Sequence, residues 1–308
     1  MSEETGQQPT GAPPAVEYCY RHPNVQTGVH CTRCNRPICP ECMTPAPVGY
    51  QCPECVAQAR REFRRGPGRR VVTGGITATK VLLAALFAVF ALELLVGGAN
   101  ALFLGPPEPK LISLGAMQPF LIADGQYWRL FSAIFFHGGL LHIAFNAYAL
   151  WIFGTAMEQA LGRNRFLLVF FVTGFLASAT SYAFGPLGSV GVGASGAIFG
   201  VFGAFIAYNY RRRDLAQAAA NLRWALMLIL LNALLTLGIR LIDWRAHLGG
   251  LVAGVLAGYT LEGFGTRSTR RIVAVGGIVA LLAVGVAMVV WRTDQIRNLP
   301  VFTRIFGA

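Results

Sequence analysis

Apolar residues in this chain are gathered into long runs that alternate with short polar, basic or glycine-rich segments. Seven such runs cover about residues 81–101, 139–158, 166–184, 195–210, 223–240, 246–263 and 272–291. A bilayer core of roughly 30 Å needs about 20 apolar residues per helix. The fourth and sixth runs are short or glycine-rich, yet both stay apolar over several helical turns. The pattern predicts an all-α polytopic membrane protein with seven transmembrane helices.

The composition agrees with a membrane protein, and the positions of the charges indicate how its helices are oriented in the membrane. Only 13% of the residues are charged and 54% are hydrophobic, whereas soluble proteins carry about 25% charged residues. Arginines lie at every second boundary of the apolar runs. They are Arg60, Arg61, Arg64, Arg65, Arg69 and Arg70 before the first run, Arg163 and Arg165 after the second, Arg211, Arg212 and Arg213 after the fourth, and Arg267, Arg270 and Arg271 after the sixth.

The positive-inside rule assigns these basic boundaries to the cytoplasm. We therefore expect a multi-pass protein of the cell membrane with a cytoplasmic N-terminus and an outer C-terminus. Although the net charge is +12, topology and attraction to anionic lipid headgroups account for juxtamembrane arginines. The lipid bilayer is thus the expected partner of these residues, and no nucleic acid is expected.

All seven cysteines lie between residues 19 and 55, and the spacing groups them with one histidine into four pairs. The pairs are Cys19-x-x-His22, Cys31-x-x-Cys34, Cys39-x-x-Cys42 and Cys52-x-x-Cys55. Eight ligands of this kind make two tetrahedral structural zinc sites. A disulfide framework would leave one cysteine over and would conflict with a reducing cytoplasm. The sequence therefore predicts two structural zinc ions and none for catalysis.

The sequence determines the number of ligands more firmly than it determines which of them share a zinc ion. Joining the first pair to the third and the second to the fourth gives a cross-braced module that resembles the B-box type of zinc-binding domain. The first site would then hold Cys19, His22, Cys39 and Cys42, and the second Cys31, Cys34, Cys52 and Cys55. His30 is an alternative to His22, but only His22 completes a two-residue spacer with Cys19. About forty residues fold poorly without a metal, so we interpret the module as an appendage with a possible cytoplasmic protein partner.

A serine and two histidines fall at the same predicted membrane face. Ser195 starts the fourth apolar run, His247 lies at the start of the sixth and His142 near the start of the second. A serine hydroxyl needs a base to become a nucleophile, and histidine is the usual base. Asn146 lies one helical turn after His142, so both can donate to a developing oxyanion. These residues predict acyl-transfer chemistry by Ser195 and His247.

Two stripes of small residues explain how the fourth and sixth runs could approach each other. One face carries Gly196, Gly200 and Ala204, and the other carries Gly250, Gly254 and Gly258 below His247. Small residues at such spacing let helix backbones pack closely in lipid. We expect this packing to bring Ser195 and His247 together.

In combination, the motifs resemble those of the rhomboid family of intramembrane serine proteases over about residues 79–265. They are Trp128-Arg129, His137-Gly138-Gly139-Leu140-Leu141-His142-Ile143-Ala144-Phe145-Asn146, Glu158-x-x-x-Gly162, Gly193-Ala194-Ser195-Gly196 and Ala246-His247-x-x-Gly250. The resemblance implies a Ser195–His247 dyad without a carboxylate, with His142, Asn146 and the Ser195 amide as oxyanion donors. It also implies a six-helix core with one added C-terminal helix, and transmembrane protein substrates cut near the outer face. Phe199 stands where many relatives carry a tyrosine under the catalytic histidine.

The expected organisation has five segments. They are a disordered lead (1–18), the two-zinc cross-braced module (19–56), a basic linker (57–78), the rhomboid-like six-helix protease core (79–265), and the seventh transmembrane helix with its outer tail (266–308). The alternative function is a non-catalytic rhomboid-like adaptor that binds transmembrane clients, although such adaptors typically lack the serine or the histidine.

Three further polar residues invite an assignment. Asp243 precedes His247 by four residues, and we expect it to cap a helix or pair with Arg240 or Arg245 rather than complete a triad. Ser181 is expected only to bond the carbonyl group one turn back. Glu93, near the middle of the first apolar run, has no evident role.

Overall fold

The computed structural model describes residues 16–46, 48–65, 76–98, 100–238, 242–262 and 266–307. The chain divides into two compact units, Met1–Thr73 and Gly74–Ala308. Most of the predicted disordered lead (1–15) and part of the predicted basic linker (66–75) lie outside the described residues.

The N-terminal unit has little regular secondary structure. A 3₁₀ turn at Pro40–Cys42 leads into two short antiparallel strands, β1 (Thr44–Pro45) and β2 (Tyr50–Gln51), and then into helix α1 (Pro53–Arg65). Its buried core consists of six cysteines and Ile38. So small an apolar core cannot stabilise a fold of this size without cross-links or metal.

The second unit is helical throughout its regular structure. Its helices are α2 (Ala78–Gly97), α3 (Ala101–Leu104), α4 (Glu108–Leu114), α5 (Pro119–Ala123), α6 (Arg129–Ser132), α7 (Leu140–Ala149), α8 (Thr155–Leu161), α9 (Arg163–Phe184), α10 (Ser195–Tyr210), α11 (Ala216–Gly238), α12 (Trp244–Glu262), α13 (Arg267–Arg297) and α14 (Pro300–Phe306). A 3₁₀ turn covers Ala133–Phe135, and a π-helical segment at Leu150–Gly154 joins α7 to α8.

Five helical segments of the described residues are long and apolar enough to cross a membrane. They are Ala78–Gly97, Leu140–Leu161, Arg163–Phe184, Ala216–Leu234 and Ser268–Arg297. The other two predicted spans form helices α10 and α12, of which the first is shorter than these five segments and the second is less apolar. Helix α10 has 16 residues, and α12 contains several glycines together with Arg245 and His247. These are the two runs that the sequence marks as short or glycine-rich.

Two helix ends differ from the expected positions. Helix α2 ends at Gly97, because the chain turns at Gly98 with a φ of 81°, whereas the apolar run continues to about residue 101. Helix α11 begins at Ala216 rather than near 223. Its first turns are polar, and hydropathy therefore does not mark them.

Helix α9 forms the centre of the bundle, because most of its apolar stretch is buried, whereas little of the apolar stretch of α11 is buried. Helices α10 and α12 pack backbone to backbone beside α9. A Cβ atom on Gly250 would lie 2.1 Å from the Gly196 carbonyl oxygen, and one on Gly254 would lie 1.9 Å from that of Gly200. The expected contact between the two small-residue stripes is confirmed.

Two polar side chains, one partly buried and one buried, join the ends of the helices. The carboxylate of Glu158 accepts hydrogen bonds from the backbone amides of Ala78 (2.7 Å) and Thr79 (2.8 Å), and so caps α2. The guanidinium of Arg129 donates to the carbonyl groups of Ile112 (2.7 Å) and Ala116 (2.9 Å). It thereby holds the long loop between α2 and α7.

The last helices also bind this loop. Arg297, at the end of α13, donates through Nε to the carbonyl oxygen of Ala123 at 2.8 Å. The hydroxyl groups of Tyr182 and Thr293 lie 2.9 Å apart and join α9 to α13. Helix α13 is thus attached to the bundle along its C-terminal half.

Candidate active site

Ser195 and His247 meet at the N-terminal ends of two adjacent helices. Ser195 is the first residue of α10, and His247 lies in the first turn of α12. The Ser195 hydroxyl is 2.8 Å from Nε2 of His247, within hydrogen-bond distance. Close packing through Gly196 and Gly250 makes this approach possible. The hydroxyl can therefore donate its proton directly to a neutral imidazole.

The His247 imidazole is oriented by an aromatic ring. Phe199, one turn below Ser195, stacks on it with ring centroids 4.3 Å apart and an angle of 14° between the planes. Nδ1 of His247 is buried and has no hydrogen-bond partner among the described residues. A third triad member of the carboxylate type is therefore not found at Nδ1 in the described part of the chain.

Asp243 serves the helix that carries His247 rather than the imidazole itself. Its Oδ1 accepts the backbone N–H groups of Arg245 (3.1 Å) and Ala246 (3.3 Å), so the expected N-terminal cap of α12 is confirmed. Its Oδ2 accepts the hydroxyl of Ser181 from α9. The expectation that Ser181 bonds only the carbonyl one turn back was wrong, because Asp243 offers a stronger charged acceptor. Arg240, the other suggested partner, lies outside the described residues.

His142 and Asn146 face the segment that leads to Ser195. Gly193 has a φ of 125°, and a Cβ atom there would lie 2.7 Å from Nε2 of His142 and 3.8 Å from Nδ2 of Asn146. A side chain at this position would thus fill the space in front of both groups. The structure brings His142 and Asn146 to the same small concavity as the backbone of Gly193.

The hydrogen bonding around His142, Asn146 and Ser195 leaves N–H donors available to a further acceptor. The Gly138 backbone N–H donates to Nδ1 of His142 at 3.1 Å, so in neutral His142 the proton is on Nε2. Nδ2 of Asn146 is buried and has no partner among the described residues. The amide of Ser195 is at the first position of a helix, where no intrahelical acceptor is available. Three donors are therefore available to an anionic oxygen beside Ser195.

The N-terminal unit gathers its ligands into two sets of four. One set is Cys19, His22, Cys39 and Cys42, the other is Cys31, Cys34, Cys52 and Cys55, and within each set the ligand atoms lie within 4.8 Å of one another. All seven cysteines are free of disulfide bonds. His30 belongs to neither set, since its Nε2 pairs with the Glu17 carboxylate at 2.5 Å.

The spacing and acidity of the sulfur atoms fit a metal ion. Nδ1 of His22 is 3.2 Å from Sγ of Cys39 and 3.5 Å from Sγ of Cys42, close to the roughly 3.5 to 3.8 Å separation of ligands on one tetrahedral zinc. Burial raises the pKa of Cys42 to about 11 with the help of the Cys19 and Cys39 thiols. Burial also acts on Cys19, but backbone hydrogen bonds outweigh it and lower its pKa to about 6. One thiolate thus forms readily, whereas several close thiolates need a cation between them.

Comparison with known proteins identifies the family of the membrane unit. The Rhomboid domain model matches residues 124–264. The chain is 35% identical over 203 residues to "Rhomboid protease GluP" of Bacillus subtilis (strain 168), covering 64% of this chain and 38% of that protein. It is 36% identical over 138 residues to "Putative rhomboid protease YdcA" of the same organism, covering 45% of this chain and 69% of that protein. "Rhomboid-like protease 2" of Toxoplasma gondii is 32% identical over 179 residues, which cover 62% of its length.

The share of each relative that the match covers determines whether the family can be assigned. The chain spans little more than a third of GluP but more than two thirds of YdcA, and all of the matched relatives named above carry the rhomboid name. Together with five candidate membrane spans, the similarity leads to one conclusion: the chain is a multi-pass membrane protein that belongs to the rhomboid family.

Proposed function

We propose that this protein is an intramembrane serine endopeptidase in which Ser195 is the nucleophile and His247 the general base. The observation that carries the proposal is the 2.8 Å contact between the Ser195 hydroxyl and Nε2 of His247. The two residues are 52 positions apart, on separate helices that meet through glycine. In a family of proteases, a partly buried pair of this kind is the arrangement that acyl transfer requires.

The reaction follows from the contacts of the pair. Oγ of Ser195 attacks the carbonyl carbon of the scissile peptide bond while Nε2 of His247 takes the hydroxyl proton. The imidazolium then gives this proton to the leaving amine, and the C–N bond breaks. A water molecule then gives up a proton to Nε2 and attacks the acyl carbon, the bond between that carbon and Oγ breaks, and the imidazolium returns the proton to Oγ of Ser195. Stacking on Phe199 keeps the imidazole in place through these proton transfers.

The oxyanion is held by neutral donors. We assign this role to Nε2–H of His142, the side-chain amide of Asn146 and the backbone amide of Ser195. Each such donor supplies about 3 to 4 kcal/mol of transition-state stabilisation in soluble proteases. The tight approach of Gly193 to His142 supports this assignment, since the absent side chain leaves room for the carbonyl oxygen.

Transmembrane proteins are the proposed substrates, with cleavage near the outer membrane face. Ser195 and His247 start helices that run in the same direction, and the arginine-rich boundaries lie at the far ends of those helices. With α10 and α12 as shorter crossings, the chain has six core spans and a seventh, a cytoplasmic N-terminus and an outer C-terminus. A substrate helix must unwind before its carbonyl group reaches Ser195, so small, helix-destabilising residues near that face favour cleavage.

For the N-terminal unit we propose two structural zinc ions in a cross-braced, B-box-like arrangement. Each site has four protein ligands, so no coordination position remains for a water or substrate, and the metal has no part in catalysis. The module is then a stable cytoplasmic surface, and a cytoplasmic protein is the proposed partner.

Cleavage of a fluorogenic transmembrane substrate by the purified full-length protein tests the proposal. Wild type is expected to cleave it and to be labelled by a fluorophosphonate probe, whereas Ser195→Ala does neither. Ser178→Ala is a matched control, because Ser178 is another serine of the membrane unit outside the site. A non-catalytic adaptor would bind the substrate with Ser195 intact and leave it uncut, and that outcome would overturn the proposal.

A further inference from the structure

Glu93 is a fully buried carboxyl side chain in the first transmembrane helix. Because α2 ends at Gly97, Glu93 lies one turn from the end of the helix rather than near its middle. Its exposed fraction is 0%. An ionisable residue at such a site is costly in free energy and is retained where it forms a specific bond.

The bond that Glu93 forms reaches the motif that carries the oxyanion donors. Its Oε1 accepts the backbone N–H of His137 at 2.8 Å. The next backbone N–H along the chain, that of Gly138, donates to Nδ1 of His142 at 3.1 Å. Two consecutive amides thus point to two different side chains, one on α2 and one on α7.

Close backbone contacts also restrict the segment that contains Gly138 and Gly139. Gly139 has a φ of 114°, and a Cβ atom there would lie 2.5 Å from the carbonyl oxygen of Phe103. A Cβ atom on Gly105 would lie 2.8 Å from the backbone of Gly138. The backbone therefore has little freedom to shift, provided that Glu93 keeps the His137 amide in place.

The rings of the two histidines extend the same contact. The His137 side chain is fully buried, and its ring meets that of His142 edge to face with centroids 5.1 Å apart. Movement of the His137 backbone would consequently displace a ring in direct contact with His142. Glu93 is connected to His142 both through the Gly138 amide and through this ring.

We propose that Glu93 is a positioning residue for the oxyanion donor His142. By holding the His137 amide, it directs the Gly138 N–H to Nδ1 of His142, and this bond keeps the proton of His142 on Nε2, beside Gly193. Glu93 itself touches neither substrate nor the reacting atoms. The inference rests on the proposed function, because it explains how one of its donors is oriented.

The two oxygen atoms of the Glu93 carboxyl group differ in their contacts, and this difference defines the most informative variants. Oε2 of Glu93 is buried and has no partner among the described residues, so only Oε1 is needed for the bond. The side-chain carbonyl of glutamine can accept the His137 amide in the same way, whereas leucine keeps an apolar side chain of similar size without an acceptor. Glu93→Gln is therefore the conservative variant and Glu93→Leu the disruptive one.

Glu158 supplies a control for loss of a partly buried carboxylate that accepts backbone amides. It also accepts backbone amides, those of Ala78 and Thr79, but at the opposite end of α2. Glu158→Leu is expected to lower stability without acting through His142. Thermal unfolding of all variants in the same detergent separates loss of stability from loss of orientation.

Kinetics on a transmembrane substrate give the first test. We expect Glu93→Leu to lower kcat by about 10- to 100-fold, since a misplaced group of this kind costs up to about 100-fold, with KM within about twofold. Glu93→Gln is expected to restore most of kcat. In a double-mutant cycle, Glu93→Leu should cause no further loss in a His142→Ala background, whereas Glu158→Leu should cause the same loss in both backgrounds.

Nitrogen-15 NMR of the labelled histidines gives a test that does not depend on activity. Wild type and Glu93→Gln are expected to show His142 with its proton on Nε2, and Glu93→Leu to show a mixture of both tautomers. If wild type fails to cleave, the proposed function fails and this tautomer decides the inference alone. Should Glu93→Leu not fold, Glu93→Met carries the same comparison. An unchanged His142 tautomer, or a loss of kcat that is additive with His142→Ala, would overturn the inference.

Discussion

The phenyl ring of Phe199 stacks on the imidazole of His247, with 4.3 Å between the ring centroids. Nδ1 of His247 has no partner among the described residues, so this contact, rather than a carboxylate, fixes the plane of the ring. The proposed base is thus held by packing. Its orientation should depend on an aromatic side chain at position 199, together with the hydrogen bond to Ser195.

Replacement of Phe199 tests this dependence. We expect Phe199→Leu to lower kcat by about 2- to 10-fold, because an aromatic pair of this kind contributes about 0.5 to 1.5 kcal/mol beyond its buried area. KM should change little, since Phe199 lies beneath the imidazole. Phe199→Tyr keeps the stacked ring and should retain most of the activity. Steady-state cleavage of a transmembrane substrate measures both, and a fully active Phe199→Leu would contradict this view of His247.

The proposed oxyanion donors give a second prediction. We expect His142→Ala and Asn146→Ala each to lower kcat by about 100- to 1,000-fold with little change in KM, because the lost hydrogen bond forms only in the transition state. Leu141→Ala is a matched control, since this neighbouring side chain is 71% exposed. Equal losses in Leu141→Ala and His142→Ala would show that the region matters only for stability.

The contact between α10 and α12 gives a third prediction. A Cβ atom on Gly254 would lie 1.9 Å from the backbone of Gly200, so we expect Gly254→Ala to force the helices apart and destabilise the bundle by about 1 to 3 kcal/mol. Activity should fall with it, since His247 moves away from Ser195. Gly276→Ala is the matched control, because no atom lies within 4 Å of a Cβ atom there. Thermal unfolding in detergent, together with substrate cleavage, checks both variants.

The metal sites give a fourth prediction. Elemental analysis should find two zinc ions per chain, and Cys31→Ser or a strong chelator should unfold residues 19–55, because the metal supplies the folding free energy. Acidification should release zinc as well, since protons compete for the thiolates. In the Cys31→Ser variant, and after treatment with the chelator, cleavage of a model substrate in detergent is expected to continue. Limited proteolysis detects the unfolding, and complete loss of cleavage would instead mean that the module controls the active site.

Local sequence signals predicted a large part of this architecture. Long apolar runs bounded by arginine indicate membrane helices wherever composition alone decides, as in α9 and α13. The same signal misplaced the end of α2, where a single glycine turn at Gly98 stops an otherwise apolar run. It also missed the first turns of α11, because Gln217 and Asn221 are polar although they are helical.

Sequence by itself determined which chemistry is available and where its parts could lie. Residue type and spacing singled out Ser195, His247 and the eight cysteine and histidine side chains, because candidate nucleophiles, bases and metal ligands are recognised by the atoms they carry. Only the tertiary structure decided which distant groups form hydrogen bonds. The Glu93 carboxyl group meets the backbone amide of His137, 44 residues away, and the Ser181 hydroxyl meets the Asp243 carboxylate, 62 residues away. Such pairs depend on how helices are packed and rotated against one another, and a hydropathy pattern contains no information about that rotation.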